Sequence, residues 1–143
     1  MINAYRKTLS LPAVPLSPSM TAVAALHAKD LAEQQPHKKH GSLHAWSDNT
    51  RWTGGNFLLD RPDSYNVMWQ KPQEIAGYLG TGYEIAASGV RDADHALKVW
   101  QGSRPHLDVI ANRGIWEELR WQALGAVYYK GFACAWFGED KDE

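Results

Sequence analysis

Two apolar runs near the end of the chain constrain the fold more than any other feature of the sequence. Residues 123–129 and 132–137 are rich in aromatic and small apolar side chains, and only Lys130 and Gly131 separate them. A two-residue loop between antiparallel strands needs positive φ angles, which glycine adopts without steric cost. The spacing therefore predicts a β-hairpin.

A long helix is predicted in the first third of the chain. Ser17 can cap it, Pro18 suits its first position, and apolar residues follow at helical spacing until Pro36 ends it. Residues 36–82 are rich in Gly, Pro, Asp, Asn and Trp, so no extended regular element is expected there. A section of this length without regular structure is usually functional.

One more strand and two more helices are indicated before the hairpin. Residues 83–88 read as a short strand, and a helix follows Asp92 and ends at Gly102. A short helix then runs through residues 103–111, and the charged tail 139–143 is expected to be frayed. This order predicts an α+β fold in which a three-stranded antiparallel sheet is covered by helices.

Composition excludes several classes of protein. The 143 residues suit one hydrophobic core, and a net charge of -1 leaves no basic field for nucleic acid. A single cysteine, Cys134, cannot form an intramolecular disulfide, and its apolar surroundings predict a small buried side chain. Three prolines interrupt residues 8–26, so neither a signal core nor a membrane span is expected there.

Three segments resemble a known family. Residues 2–6 (Ile-Asn-Ala-Tyr-Arg) resemble the Asn-x-x-Arg start of CAP domains, and residues 26–32 (Leu-His-Ala-Lys-Asp-Leu-Ala) resemble their second-helix pattern. Residues 96–106 are similar to the bacterial signature in which a helical Trp is followed by Ser and then His. In this order the segments identify residues 1–138 as a single domain of the CAP superfamily, the cysteine-rich secretory protein, antigen 5 and pathogenesis-related protein group, of the bacterial SCP-like type.

The resemblance implies an α-β-α sandwich in a secreted or periplasmic protein. Family members carry two histidines and two acidic residues in a cleft, some bind a divalent metal such as zinc, and others bind sterols or lipids. An export signal is then expected to have been removed, with Met1 supplied for expression.

The histidines divide into two groups. His37, His40 and His44 together are typical of a metal-binding tract, but the first two lie beside lysines and are expected to be solvated loop residues. By resemblance His44 takes the place of the first cleft histidine and His106 that of the second. Imidazole can ligate a metal or relay protons near neutral pH.

When the chain is aligned with the family pattern without gaps, neither of the family's two acidic positions holds an acidic residue. Tyr83 stands where the resemblance places the first acid, and Glu84 follows it, so Glu84 reaches the cleft only if a bulge turns it inward. Ser103 stands in the place of the second acid. Glu117 or Glu118 could substitute from another direction.

The aromatic side chains of the middle section allow two interpretations. They could line a groove or form a core that caps the sheet, and the core is favoured; the residues are Trp46, Trp52, Tyr65, Trp69 and Tyr78. His27, on the apolar face of the long helix, is expected to be buried and hydrogen-bonded rather than a ligand.

Two functions follow from these features. The first is a noncatalytic binding module that engages a small apolar ligand, an envelope component or a protein partner through a cleft of His44, Glu84, His106, Tyr83 and Ser103. The second is a metal-dependent hydrolase of peptide or ester bonds, with His44 and His106 as zinc ligands and Glu84 as third ligand or base.

Overall fold

A computed structural model covers residues 1–143 and contains seven α-helices, two 3₁₀ turns and one sheet. The helices are α1 (Ile2–Thr8), α2 (Pro18–Glu33), α3 (Pro36–His40), α4 (Asn66–Trp69), α5 (Lys71–Ala76), α6 (Ala93–Gln101) and α7 (Arg104–Ala111). The strands are β1 (Tyr83–Ser88), β2 (Ala123–Tyr129) and β3 (Phe132–Gly138), and the 3₁₀ turns are Pro62–Tyr65 and Gly114–Trp116. None of the helices combines the length and the hydropathy that crossing a bilayer would require.

The predicted elements are confirmed with shifts of one or two residues. The Ser17 hydroxyl accepts a hydrogen bond from the Met20 amide at the start of α2, and Asp92 caps α6 in the same way. Sequence reasoning missed α1, which is too short to show a clear apolar period.

Strand β3 of the predicted hairpin is the central strand of the sheet. Strand order is β1-β3-β2, with β3 antiparallel to both neighbours. Lys130 and Gly131 have φ angles of 45° and 90°, so both turn residues adopt the left-handed conformation that a two-residue loop requires.

Helices cover both faces of the sheet. Face A, which carries Ile85, Ala135 and Phe137, packs against the cluster that α1, α6 and α7 contribute. Face B, which carries Glu84, Cys134 and Trp136, packs against α2. The predicted α+β fold with an α-β-α sandwich is therefore confirmed.

The middle section contains only short helices, as the density of helix breakers predicts. Trp46, Trp52 and Tyr78 are buried in the face B core, in agreement with the favoured interpretation of these aromatics. Tyr65 and Trp69 instead remain partly at the surface, where their rings pack edge to face at 5.2 Å.

The charged tail is bonded to the domain, so the prediction that it is frayed is wrong. Asp142 accepts hydrogen bonds from the Ser17 hydroxyl and from both the amide and the hydroxyl of Ser19. The main-chain oxygen of Asp140 accepts from the Tyr78 hydroxyl at 2.7 Å. The tail is held because a carboxylate is favourable at the N-terminus of α2, where backbone amides lack helical partners.

Candidate functional site

Glu84 lies at the centre of a buried hydrogen-bond network on face B. Glu84 is 6% exposed. One oxygen of its carboxylate accepts a hydrogen bond from His27 Nδ1, and the other accepts one from His44 Nδ1 at 2.8 Å. The register between β1 and β3 runs from Tyr83 to Ser88 without interruption, so no bulge turns Glu84 inward. Ordinary strand alternation already directs it toward α2, because the preceding residue takes face A.

His27 is the partner that α2 supplies. The residue is fully buried, its ring stacks on Trp46 with centroids 4.1 Å apart, and Nε2 lies 3.0 Å from the Ala45 carbonyl oxygen. Both ring nitrogens face acceptor oxygens, so an imidazolium satisfies both contacts. The expectation that His27 is buried and hydrogen-bonded is confirmed, but its direct contact with Glu84 was not foreseen.

The two histidines keep the carboxylate ionised. Burial alone would raise the pKa of Glu84, but the charges and hydrogen bonds of His27 and His44 outweigh burial and hold that pKa below its ordinary value. Removing one member would leave a buried charge without a counter-charge, which costs more than losing an exposed ion pair.

His44 is the member of the network that solvent reaches. Its side chain is 27% exposed, and donation from Nδ1 to Glu84 leaves the Nε2 lone pair free. The ring also meets Phe57 edge to face at 5.8 Å. A histidine held by a carboxylate in this way has a fixed tautomer, and its second nitrogen is available to accept a proton or bind a cation.

His106 and Ser103 form a second pair at the start of α7. His106 Nδ1 lies 2.8 Å from the Ser103 hydroxyl, and the ring is partly buried. Burial lowers the pKa of His106, and the nearby His44 lowers it further. The residue in the place of the family's second acid therefore orients a histidine through a neutral hydrogen bond.

The other predicted residues lie elsewhere. The Tyr83 ring turns to face A, where it packs against Trp116 at 5.1 Å and Trp121 at 5.5 Å, so it does not point the same way as the Glu84 carboxylate. Glu117 and Glu118 are exposed, and their side chains have no hydrogen-bond or ion-pair partner. Neither replaces the missing acid.

His37 and His40 belong to α3 rather than to an irregular loop. His40 is exposed as expected, whereas His37 is partly buried and meets Phe132 edge to face at 5.2 Å. The expectation of solvated loop residues therefore fails for the local structure of both, because Pro36 starts a short helix at its first position instead of preventing one.

The donor set does not complete a catalytic metal site. His44 and His106 each offer one imidazole nitrogen, but both Glu84 oxygens already accept hydrogen bonds. Ligand atoms of His27, Glu84 and Cys134 lie within 4.8 Å of one another, but all three residues are buried. Burial raises the pKa of the Cys134 thiol well above its ordinary value, so this cysteine is neither a thiolate ligand nor a nucleophile near neutral pH.

A second surface lies over the β2 side of face A, which we call the apolar groove. Its volume is about 610 Å³, and 13 of its 15 lining residues are hydrophobic, which suits an apolar guest. The main lining side chains come from α1, α6 and the sheet: Ile2, Leu97, Trp100, Leu124 and Tyr128, with Leu16 at the rim. No histidine lines the apolar groove, so it is separate from the cleft of His44 and His106.

Three solved structures of bacterial proteins share this fold. An extracellular protein containing an SCP domain from Bacillus anthracis has a TM-score of 0.63 and 20% identity, over 97% of this chain and 38% of that one. An outer surface protein from Borrelia burgdorferi has a TM-score of 0.64 and 19% identity, over 98% of this chain and 87% of that one. A cysteine-rich secretory protein from Staphylococcus aureus has a TM-score of 0.61 and 11% identity, over 97% and 36%.

These likenesses show the fold, and this chain spans little more than a third of the Bacillus and Staphylococcus chains. A comparison with curated proteins finds no match. The model of the CAP family, described as the cysteine-rich secretory protein family, matches residues 1–135. That match covers nearly the whole chain, and the protein therefore belongs to the CAP (cysteine-rich secretory protein) family.

Proposed function

We propose that this CAP-domain protein is a noncatalytic, extracytoplasmic binding module that takes apolar groups of a ligand, an envelope component or a protein partner into the apolar groove. The observation that carries the proposal is the groove itself: about 610 Å³ of open space with 13 hydrophobic residues among 15. Pockets of this size and lining hold small apolar molecules. The ligand is assigned to the groove rather than to the histidine cleft.

The chemistry of the cleft also favours binding over catalysis. The Glu84 side chain is 1% exposed and both of its oxygens accept hydrogen bonds from histidines, which disfavours a role as general base, and Cys134 is a buried thiol. The extracytoplasmic location is supported by the relatives described as an extracellular protein and an outer surface protein.

A charge placed in the groove tests the proposal. Leu97→Glu is expected to weaken binding of the neutral fluorescent probe N-phenyl-1-naphthylamine by about tenfold or more, because apolar contact is lost and a carboxylate must be desolvated. Val99→Glu is the matched control, since Val99 lies on the same helix, is 42% exposed and does not line the groove. Equal probe affinity in the wild type and both variants would contradict the assignment.

The second candidate is a metal-dependent hydrolase that uses His44 and His106. It is favoured by one observation, the proximity that makes His44 lower the pKa of His106 and leaves two imidazoles with unused nitrogens. The incomplete donor set described above counts against it.

Zinc titration separates the two candidates. If the cleft binds a divalent cation, calorimetry should show Zn²⁺ bound by the wild type and an affinity reduced about 10- to 100-fold or more in His44→Ala and His106→Ala. His40→Ala is the control, because His40 is exposed on α3 and outside the cleft. Negligible and equal binding by all four proteins would remove the hydrolase from consideration.

A further inference from the structure

The two outer edges of the sheet differ in how they are covered. At β1 the Trp100 indole nitrogen donates to the Ala86 carbonyl oxygen at 3.2 Å, so a side chain occupies that edge. At β2 the chain covers only the beginning. Leu16 lies parallel to Leu124, whose amide donates to the Pro15 carbonyl and whose carbonyl accepts from the Ser17 amide.

This short pairing fixes the direction of the remaining backbone groups on β2. The amide and carbonyl of one strand residue point to the same side, and the side alternates along the strand. The backbone amide and carbonyl of Leu124 point away from β3, so those of Ala126 and Tyr128 point away from it as well. Neither has a backbone partner, since the chain leaves the edge at Pro18 to begin α2.

The unpaired edge borders the apolar groove. Leu124, Ala126 and Tyr128 all line the groove, and Leu16 lies at its rim with 77% of its surface exposed. Ala126 is exposed, and Tyr128 is 37% exposed. An added strand on this edge would direct every second side chain into the groove, because side chains alternate between the faces of a sheet.

We propose that the β2 edge and the apolar groove together bind an extended peptide of a partner protein, which continues the sheet where the Pro15–Ser17 segment leaves it. The proposal rests on the proposed function, since the groove must accept apolar groups. The partner has aliphatic side chains at alternate positions, and its backbone pairs with Ala126 and Tyr128. Strand addition of this kind takes affinity from main-chain hydrogen bonds and specificity from pockets for alternate side chains.

A second copy of the chain fits this edge less well. Its own β2 would offer the methyl group of Ala126, which is too small to occupy the groove. Its Tyr128 hydroxyl already donates to the Val90 carbonyl and accepts from the Gly131 amide, so that ring is held on its own chain.

The test uses the intact chain and a blocked synthetic heptapeptide, Lys-Val-Thr-Val-Thr-Val-Lys, whose valines share one face. Two analogues carry N-methyl groups, one on the valine amides and the other on the threonine amides. Antiparallel pairing should be blocked by methylated valines and parallel pairing by methylated threonines, so affinities by fluorescence anisotropy should differ by about tenfold or more in either case. Equal affinities of the two analogues, or no binding of the parent peptide, would overturn the proposal.

A variant of the edge gives a second measurement. Ala126→Pro removes the outward amide without touching the β2–β3 ladder, because proline is accepted on an edge where the amide faces solvent. It should weaken binding of the peptide about tenfold, whereas Ala126→Ser, which keeps the amide, should not. If the wild type binds the probe but has equal affinity for the two peptide analogues, strand addition is refuted and the proposed function stands. The same conclusion follows if Leu97→Glu loses the probe and the wild type does not bind the parent peptide.

Discussion

Glu84→Gln is expected to lower the free energy of unfolding by about 3–5 kcal/mol near neutral pH, the usual cost of removing one partner from a buried ion pair. The substitution preserves the size of the side chain but removes the negative charge that faces His27, which is fully buried between the Glu84 carboxylate and the Ala45 carbonyl. Urea denaturation followed by tryptophan fluorescence measures the change. Glu117→Gln makes the same substitution at an exposed site without partners and should change stability by less than about 0.5 kcal/mol.

The loss of stability in Glu84→Gln should become smaller as the pH falls. The folded state holds the pKa of Glu84 below its ordinary value of 4.5, so the carboxylate contributes stability above that value and loses it as pH falls through the folded-state pKa. The variant lacks this contribution. The difference in stability between wild type and Glu84→Gln should therefore be largest near neutral pH and narrow in acid below 4.5. A difference that stays constant across that range would show that Glu84 does not act through its charge.

The helices and strands that were predicted correctly are those marked by turn or capping residues close to them in the sequence. The hairpin depends on Lys130 and Gly131, and α6 depends on Asp92, whose side chain meets the His95 amide at 2.8 Å. Such signals involve neighbours along the chain. The prediction of a frayed tail failed because the hydrogen bonds of Asp142 to Ser17 and Ser19 join residues more than a hundred positions apart. Composition carries no information about such contacts.

The candidate site was harder to predict for the same physical reason. His44 and Glu84 could be named from the family resemblance, but the orientation of Glu84 depends on which face of the sheet α2 covers. That face is set by long-range packing of Trp136 and Met20, not by the local sequence. His27 carried a usable signal, because a histidine on an apolar helix face needs a buried partner, and Glu84 is the buried acid on the sheet that α2 covers.

Gly125→Ala is expected to cost about 3 kcal/mol or more of unfolding free energy, at the upper end of what overpacking usually costs. Gly125 lies on face B of β2, where the first turn of α2 contacts the strand directly. A Cβ atom there would lie 2.6 Å from the Met20 carbonyl oxygen and closer still to the Thr21 nitrogen. These are backbone atoms, so a side-chain rotation cannot relieve the overlap and α2 must move away from the sheet.

The same displacement should reach the site, because α2 also carries His27 to Glu84. Gly125→Ala should therefore lose part of the pH dependence that Glu84 gives the wild type, in addition to its lower denaturation midpoint. Gly102→Ala is the matched control: Gly102 has a φ of -83°, and the nearest atoms to an added Cβ are 3.6 Å away. That variant should be neutral or slightly stabilised, since alanine reduces the entropy of the unfolded chain. Equal stability of the two alanine variants would mean that α2 does not need close contact with β2 to position His27.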